Sequence, residues 1–540
     1  MSRLTVRLGI VGVVLAMAVG VMPTMASASQ SAPLGIPGLL INPLPAKPKM
    51  GGTMTVLLGA GLEGSWTNLG VLGNPMVFNG GFYDAVYGTL FGQLNDGKII
   101  PQLATSGKYS NGGRTFTITL RQGVTFSDGT PFNAQAVLYN WQNNLAPGSQ
   151  CPCTDDFPVA SMTAPDPYTV VMNLKYADGA LRDAFPNSSM NWIESPAHWQ
   201  SLNKTERSAD LFPVGAGPFK ITADVPNVTV TMVKNPNYWD KPYPYLNKVI
   251  FKTIGNDSSA LAAVQSGEAQ VYGGYGEYQN LRSIVHSVDV YGGTNGTSTD
   301  TLAFNLKSTP FNNLVAREAI AYATQPEPIN RALFANTATV TQTPTGPGSP
   351  FYFPTVPGYR GYNLKKAKAL VKQLGGLTVS ILSQNDLQTQ QVDEALQSEW
   401  AKAGIHTTIE AKDMGTYIQN VLANKWQIEV SNAGSFDPAV GFGLAFDFGS
   451  KGILSGVRDP NFDAMLQAAS EPLDQKARHA DYARIFKYMS DKQYYVGLWV
   501  GSLFTLTAKN VTFSTKYLGL FAPPLQAYYE TLAYTNSKTS

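Results

Sequence analysis

The chain has 540 residues, of which 44% are apolar and only 14% charged, and its 39 basic residues nearly cancel its 37 acidic ones. The balance and the lack of long same-sign runs give no electrostatic basis for binding nucleic acid. The length exceeds what one hydrophobic core comfortably holds, so two or more domains are expected.

Residues 1–28 carry Arg3 and Arg7, an apolar run from Leu8 to Met22, and Ala26-Ser27-Ala28, the three-part layout of a secretory signal peptide. The run is shorter than the roughly 18 residues needed for a membrane span. Cleavage after Ala28 is expected, giving an exported protein, periplasmic or at the cell surface. No cysteine stands there to carry a lipid anchor. Residues 29–50 hold five prolines and no period, which reads as a tether.

A strand is expected over 53–58, followed by Gly59, Gly61 and Gly64. This is not a dinucleotide turn, because residues 65–75 contain two more glycines and a proline where a helix would have to start. Residues 114–132 read as two short strands with turns at Gln122-Gly123 and Asp128-Gly129. Asn133 can cap a helix over 134–145, with Val137, Leu138, Trp141 and Leu145 on one face. Cys151 and Cys153 leave a local disulfide, free thiols or metal ligation open. None of His198, His286, His406 or His479 stands at finger-like spacing, so no metal is expected. Gly215, Gly217 and Pro218 mark a tight crossover. Trp239 reads as the anchor of a loop, and Arg317 as a solvated or ion-paired helix face. A helix over 364–375, a strand over 377–382, a helix over 388–403 and a strand from His406 then give an α/β rhythm. Nucleophile-elbow, HExxH and P-loop patterns are absent, so the chain is read as a non-enzyme, with an exported hydrolase kept as an alternative.

Several segments in series resemble the extracellular solute-binding proteins of family 5, the peptide- and nickel-binding type that serves ABC transporters. They are "FTITLRQGVTFSDGTPFNAQAVLYNWQ" (116–142), "PVGAGPFKITADVPNVTVTMVKNPNYWD" (213–240), "LAFNLKSTPFNNLVAREAIAYAT" (302–324) and "LQSEWAKAGIHTTIEAKDMGTYIQNV" (396–421). The resemblance implies a two-lobed α/β clamp with an inserted domain. The first lobe is expected at 51–82, 210–298 and 506–540, the insert at 83–209 and the second lobe at 299–505. It also implies peptide capture in the crevice between the lobes and delivery to a membrane permease by a monomer without a cofactor. Peptide-binding members hold the ligand ammonium on an Asp three residues before an acidic-Pro step. Here Asp437-Pro438 supplies the step and Gly434 occupies the Asp position, so Asp437 is expected to shift into the ammonium role. The Arg that dipeptide-binding relatives place for the ligand carboxylate is replaced by "SQNDLQT" (383–389). Asn79, Tyr83, Asn432, Gly434, Ser435, Phe436, Asp437 and Trp499 are the expected ligand-binding residues. A neutral ligand such as an oligosaccharide, held on Trp66, Tyr83, Trp426, Phe436 and Trp499, is the alternative.

Overall fold

The computed structural model describes residues 39–40, 47–59, 80–94, 98–149, 151, 153–207, 210–226, 228–293, 296–433, 436–440, 443–450, 452, 455–513 and 533–535. The expected signal peptide, most of the tether, the glycine loop after Gly59 and Trp66 lie outside them.

Two large mixed sheets form the two lobes. The first has eight strands, in the order Leu39–Leu40, Asp289–Gly293, Leu503–Thr507, Val271–Tyr275, Thr53–Gly59, Lys248–Ile254, Thr229–Lys234 and Phe219–Val225. Thr53–Gly59 runs parallel to both its neighbours, and every apolar side chain from Met54 to Leu58 is buried, as expected of a strand covered on both faces. The second sheet has six strands, in the order Thr339–Val340, Tyr495–Val500, Thr299–Phe304, Ile428–Ala433, Leu377–Gln384 and Ile405–Lys412. Helices Leu364–Gln373 and Leu387–Ala401 flank Leu377–Gln384 in sequence, and Gly375 and Gly404 follow them in the left-handed conformation that ends a helix without strain.

Between the first two segments of the first lobe, the chain builds a four-stranded antiparallel sheet from Ala104–Ser110, Thr115–Leu120, Thr169–Leu174 and Val159–Asp166. Helix Ala134–Asn144 packs on it. Asn133 caps this helix, accepting from the Ala136 amide at 3.0 Å, and Trp141 is fully buried with its indole donating to the Met190 carbonyl at 2.8 Å. Only one strand forms in 114–132. The chain after Gly123 makes an isolated bridge between Thr125 and Pro131, because the turn at Asp128-Gly129 closes too soon for a second strand. Cys151 and Cys153 are joined by a disulfide.

The crossover at Gly215 and Gly217 passes against the end of helix Gly80–Tyr87. A Cβ at Gly215 would stand 2.3 Å from the Val86 carbonyl oxygen, and one at Gly217 would stand 2.6 Å from the Val86 carbonyl carbon. No residue with a side chain fits there. Trp239 is half-buried under the Arg121 guanidinium, 3.8 Å from the ring centroid. Arg317 differs from expectation, for it is buried rather than solvated. It donates to the carbonyls of Phe311, Lys492 and Gln493 at 2.6, 2.8 and 3.0 Å. The last two end the helix Gln475–Lys492, where unsatisfied carbonyls and the negative end of the helix dipole attract a cation.

The chain passes between the two sheets twice, once between Gly293 and Thr299 and once between Val500 and Leu503. These crossings lie side by side, since a Cβ on Gly296 would meet Val500 Cγ1 at 2.4 Å. Residues 345–348 brace them, with the amides of Gly346 and Gly348 donating to the carbonyls of Thr297 and Gly296. A continuous apolar cluster includes Leu57, Tyr272, Tyr278 and Phe504 together with Leu302, Phe304 and Trp499, so the lobes touch across the crevice.

Candidate functional site between the lobes

The second-lobe wall of the crevice begins where the chain emerges from the first crossing. In Thr299–Phe304, Asp300 pairs in register with Asn432 on one side and Trp499 on the other. The strand alternation that buries Thr299 and Thr301 leaves Asp300 on the opposite face, half-buried. Its carboxylate accepts from Asn432 Nδ2 at 2.9 Å. The Trp499 indole N–H lies near enough to favour the ionised form without reaching hydrogen-bond geometry. Burial is the larger influence and raises the Asp300 pKa above the usual carboxylate range.

The first lobe faces this wall with Tyr278. Its ring packs edge-on against Phe334 and Phe504, with centroids 5.3 and 5.8 Å apart, and Phe334 in turn rests on Trp499 at 5.0 Å. Burial first, and then the charges of Asp300 and Asp257, push the Tyr278 hydroxyl up to about 12, against a hydrogen bond with Gln388. Gln388 stands in the first turn of the second-lobe helix Leu387–Ala401, within 383–389, where a carboxylate-binding Arg was missing. Gln279 also reaches across the crevice, donating to the Ala332 carbonyl at 3.1 Å. Behind Tyr278, Asp257 accepts from the Tyr272 hydroxyl at 2.5 Å and from the Gly276 amide at 2.7 Å.

The structure therefore brings two of the expected residues, Asn432 and Trp499, together around a third that sequence reading missed, Asp300. Asn79, Gly434 and Ser435 lie outside the described residues. Tyr83 is 1% exposed, stacked on Tyr87 and tilted against Trp192 in the first-lobe core. Phe436 is buried, and its carbonyl accepts from Ser349 at 2.7 Å. Trp426 is buried as well.

Asp437 differs most from its expected role. Its side chain is fully buried, and both oxygens accept from Arg478 Nη2 at 2.5 Å. The Tyr482 hydroxyl lies 3.4 Å away, and Asp183 of the insert approaches the same guanidinium at 3.9 Å. A carboxylate held in this way is committed to an internal cation rather than turned toward the crevice.

No helix among the described residues is long and apolar enough to cross a membrane. Residues 98–453 match the model of the bacterial extracellular solute-binding proteins, family 5. A curated relative, the glutathione-binding protein GsiB of Salmonella typhi, is 29% identical over 335 residues, covering 61% of this chain and 64% of the relative. The match thus spans less than two thirds of that relative's length. Among solved structures, the periplasmic binding protein DppA of Helicobacter pylori, in complex with the peptide STSA, superimposes with a TM-score of 0.74 at 21% identity, covering 90% of this chain and 99% of DppA. AgaA of A. tumefaciens R10, in complex with agropinic acid, gives 0.76 at 22% identity, covering 90% and 99%. With two sheet-based lobes, an inserted domain and a matched family segment that runs through all three, the chain belongs to the family 5 bacterial extracellular solute-binding proteins.

Proposed function

We propose that the protein is the exported binding component of an ABC importer, which captures a peptide between its lobes and delivers it to a membrane permease without chemical turnover. In this reading residues 1–28 are removed on export and the lobes divide near the boundaries expected from the sequence. The glutathione-binding relative and the peptide-loaded structural neighbour both support a peptide ligand. Closure follows if the ligand touches both lobes, since only a ligand with higher affinity for the closed state shifts the equilibrium toward it.

The observation that carries the reading is Asp300. A half-buried carboxylate, oriented by Asn432 and facing Tyr278 from the other lobe, forms no ion pair among the described residues. A ligand ammonium placed there would relieve the cost of desolvating that acid. Asp300 thus takes the role first given to Asp437, while Gln388 reads the other end of the ligand as a neutral amide.

Calorimetric titration of the full chain with peptides bearing free or acetylated N-termini tests this. Free peptides are expected to bind near micromolar, about −8 kcal/mol. Acetylation or Asp300→Asn is expected to weaken binding about tenfold or more, as for a lost charge-assisted hydrogen bond. Equal affinity for both peptide forms would remove Asp300 from ammonium recognition. Binding of oligosaccharides alone would replace the peptide reading, and hydrolysis of a panel member would replace the transport reading.

A further inference from the structure

Away from the crevice, where the insert returns to the first lobe, Glu194, His198 and Asp210 converge. Each offers one ligand atom, and the three atoms lie within 4.8 Å of one another. Glu194 is fully buried, Asp210 is 6% exposed and His198 is half-buried. His198 Nε2 and Asp210 Oδ2 are 2.9 Å apart.

The surrounding residues fix all three. The Glu194 amide donates to Asn140 Oδ1 at 3.0 Å, and Asn140 Nδ2 donates back to the Glu194 carbonyl at 2.9 Å, so the backbone at Glu194 is clamped from both sides. Ser195 caps the short helix Pro196–Ser201 by accepting from the His198 amide, and its own hydroxyl donates to Asp128 at 2.9 Å. The other oxygen of Asp210 accepts from the Phe212 amide at 3.0 Å, leaving Oδ2 for the imidazole. A fourth polar group feels the charge of this cluster. The Tyr83 hydroxyl, on a side chain 1% exposed, has no hydrogen-bond partner among the described residues, and Glu194 is the charged group that acts on it.

One imidazole nitrogen and two carboxylate oxygens form a donor set suited to a zinc-class ion, whose protein sites commonly supply three ligands and leave a fourth position open. Two buried carboxylates beside an imidazole make a place where a divalent cation is favourably held. We propose that Glu194, His198 and Asp210 bind one divalent transition-metal ion of the zinc class, with the fourth position left to water. The ion would tie the helix Pro196–Ser201 to the segment that leads into the crossover at Gly215 and Gly217. It would thereby close the loop between Glu194 and Asp210 and stiffen the attachment of the insert.

The test uses the full chain, stripped of metal and without an affinity tag, and follows thermal unfolding during titration with zinc chloride. One equivalent is expected to bind and to raise Tm by several degrees, because an ion bound only by the native state stabilises it. Magnesium is expected to leave Tm unchanged. His198→Gln is expected to abolish the zinc-dependent increment. Loss of a merely structural His198–Asp210 contact would lower Tm equally with and without zinc. Should His198→Gln fail to fold, cobalt(II) added to the unaltered protein decides instead, through visible absorption typical of four or five ligands including imidazole. Absence of a zinc-dependent shift, an equal shift in His198→Gln, or a six-coordinate aqueous-type cobalt spectrum would overturn the proposal.

Discussion

Asp300 and Asp437 are both acids of the second lobe, yet their surroundings give them opposite duties. Asp437 meets a guanidinium and is sealed from water, whereas Asp300 meets an amide and an indole at the edge of the crevice. Substitution should separate the two roles. Asp437→Asn leaves Arg478 buried with its main partner neutralised, which is expected to cost about 3–5 kcal/mol of stability. Chemical denaturation would show this as a lower midpoint. Asp300→Asn removes a charge that burial disfavours, so it should cost ligand affinity while leaving the midpoint unchanged or raised. The sequence showed Asp437 plainly because it precedes a proline, and Asp300 not at all. In "STDTLAF" nothing marks Asp300 as more than the polar half of an alternating strand. Its importance arises from register with Asn432, 132 residues away, and register over that distance leaves no local trace. The zinc-class cluster was hidden for a related reason. His198 stands at no fixed ligand spacing, and carboxylates brought in by a loop follow none.

At the scale of elements, much more was legible. The cap at Asn133 and the stop glycines at 375 and 404 are local chemistry, and the helices they bound lie within two residues of where the pattern places them. The crossover glycines were legible as a close approach, and the Val86 backbone supplies its other side. Gly217→Ala would press a methyl to 2.6–2.7 Å from three backbone atoms of 85–88, and backbone cannot yield as a flexible side chain does. A loss of about 1–3 kcal/mol is expected, the range for overpacking, measured as a lower urea midpoint at constant m-value. Arg317 shows the limit of such reading. Its helix face was clear, but the helix end that it caps belongs to residues 475–492.

At the scale of the molecule, the insert and the second lobe meet around one cation with several acids. Asp178 and Asp183 of the insert approach Arg478, and burial raises each to about 7, with the Asp437 charge adding to the rise. The Gly179 amide donates to the Ser470 carbonyl across the same seam, and within the insert the Ala180 amide donates to Asp178 Oδ1. A pKa higher in the folded than in the unfolded chain means that the folded state holds the proton more tightly. The resulting stabilisation is complete below the unfolded value, about 4, and is lost as pH rises through about 7. Calorimetry at pH 5 and pH 8 should therefore find the unaltered protein losing more stability than Asp178→Asn, by as much as about 2.5 kcal/mol, the part of the shift that this window covers. An equal loss in both proteins would exclude Asp178 as a source. That two distant chain segments share this contact follows from the order of strands across sheets, which pairing over long separations sets and local pattern does not reveal.

Where the two crossings touch, Gly296 has no space for even one added methyl, while the wall beside it presents an acid, an amide, an indole and a phenol in Asp300, Asn432, Trp499 and Tyr278. Joint and palate are therefore separate inheritances. Such a fold could exchange one diet for another by rewriting the walls, whereas a side chain placed at Gly296 would press on Val500 and disturb the joint.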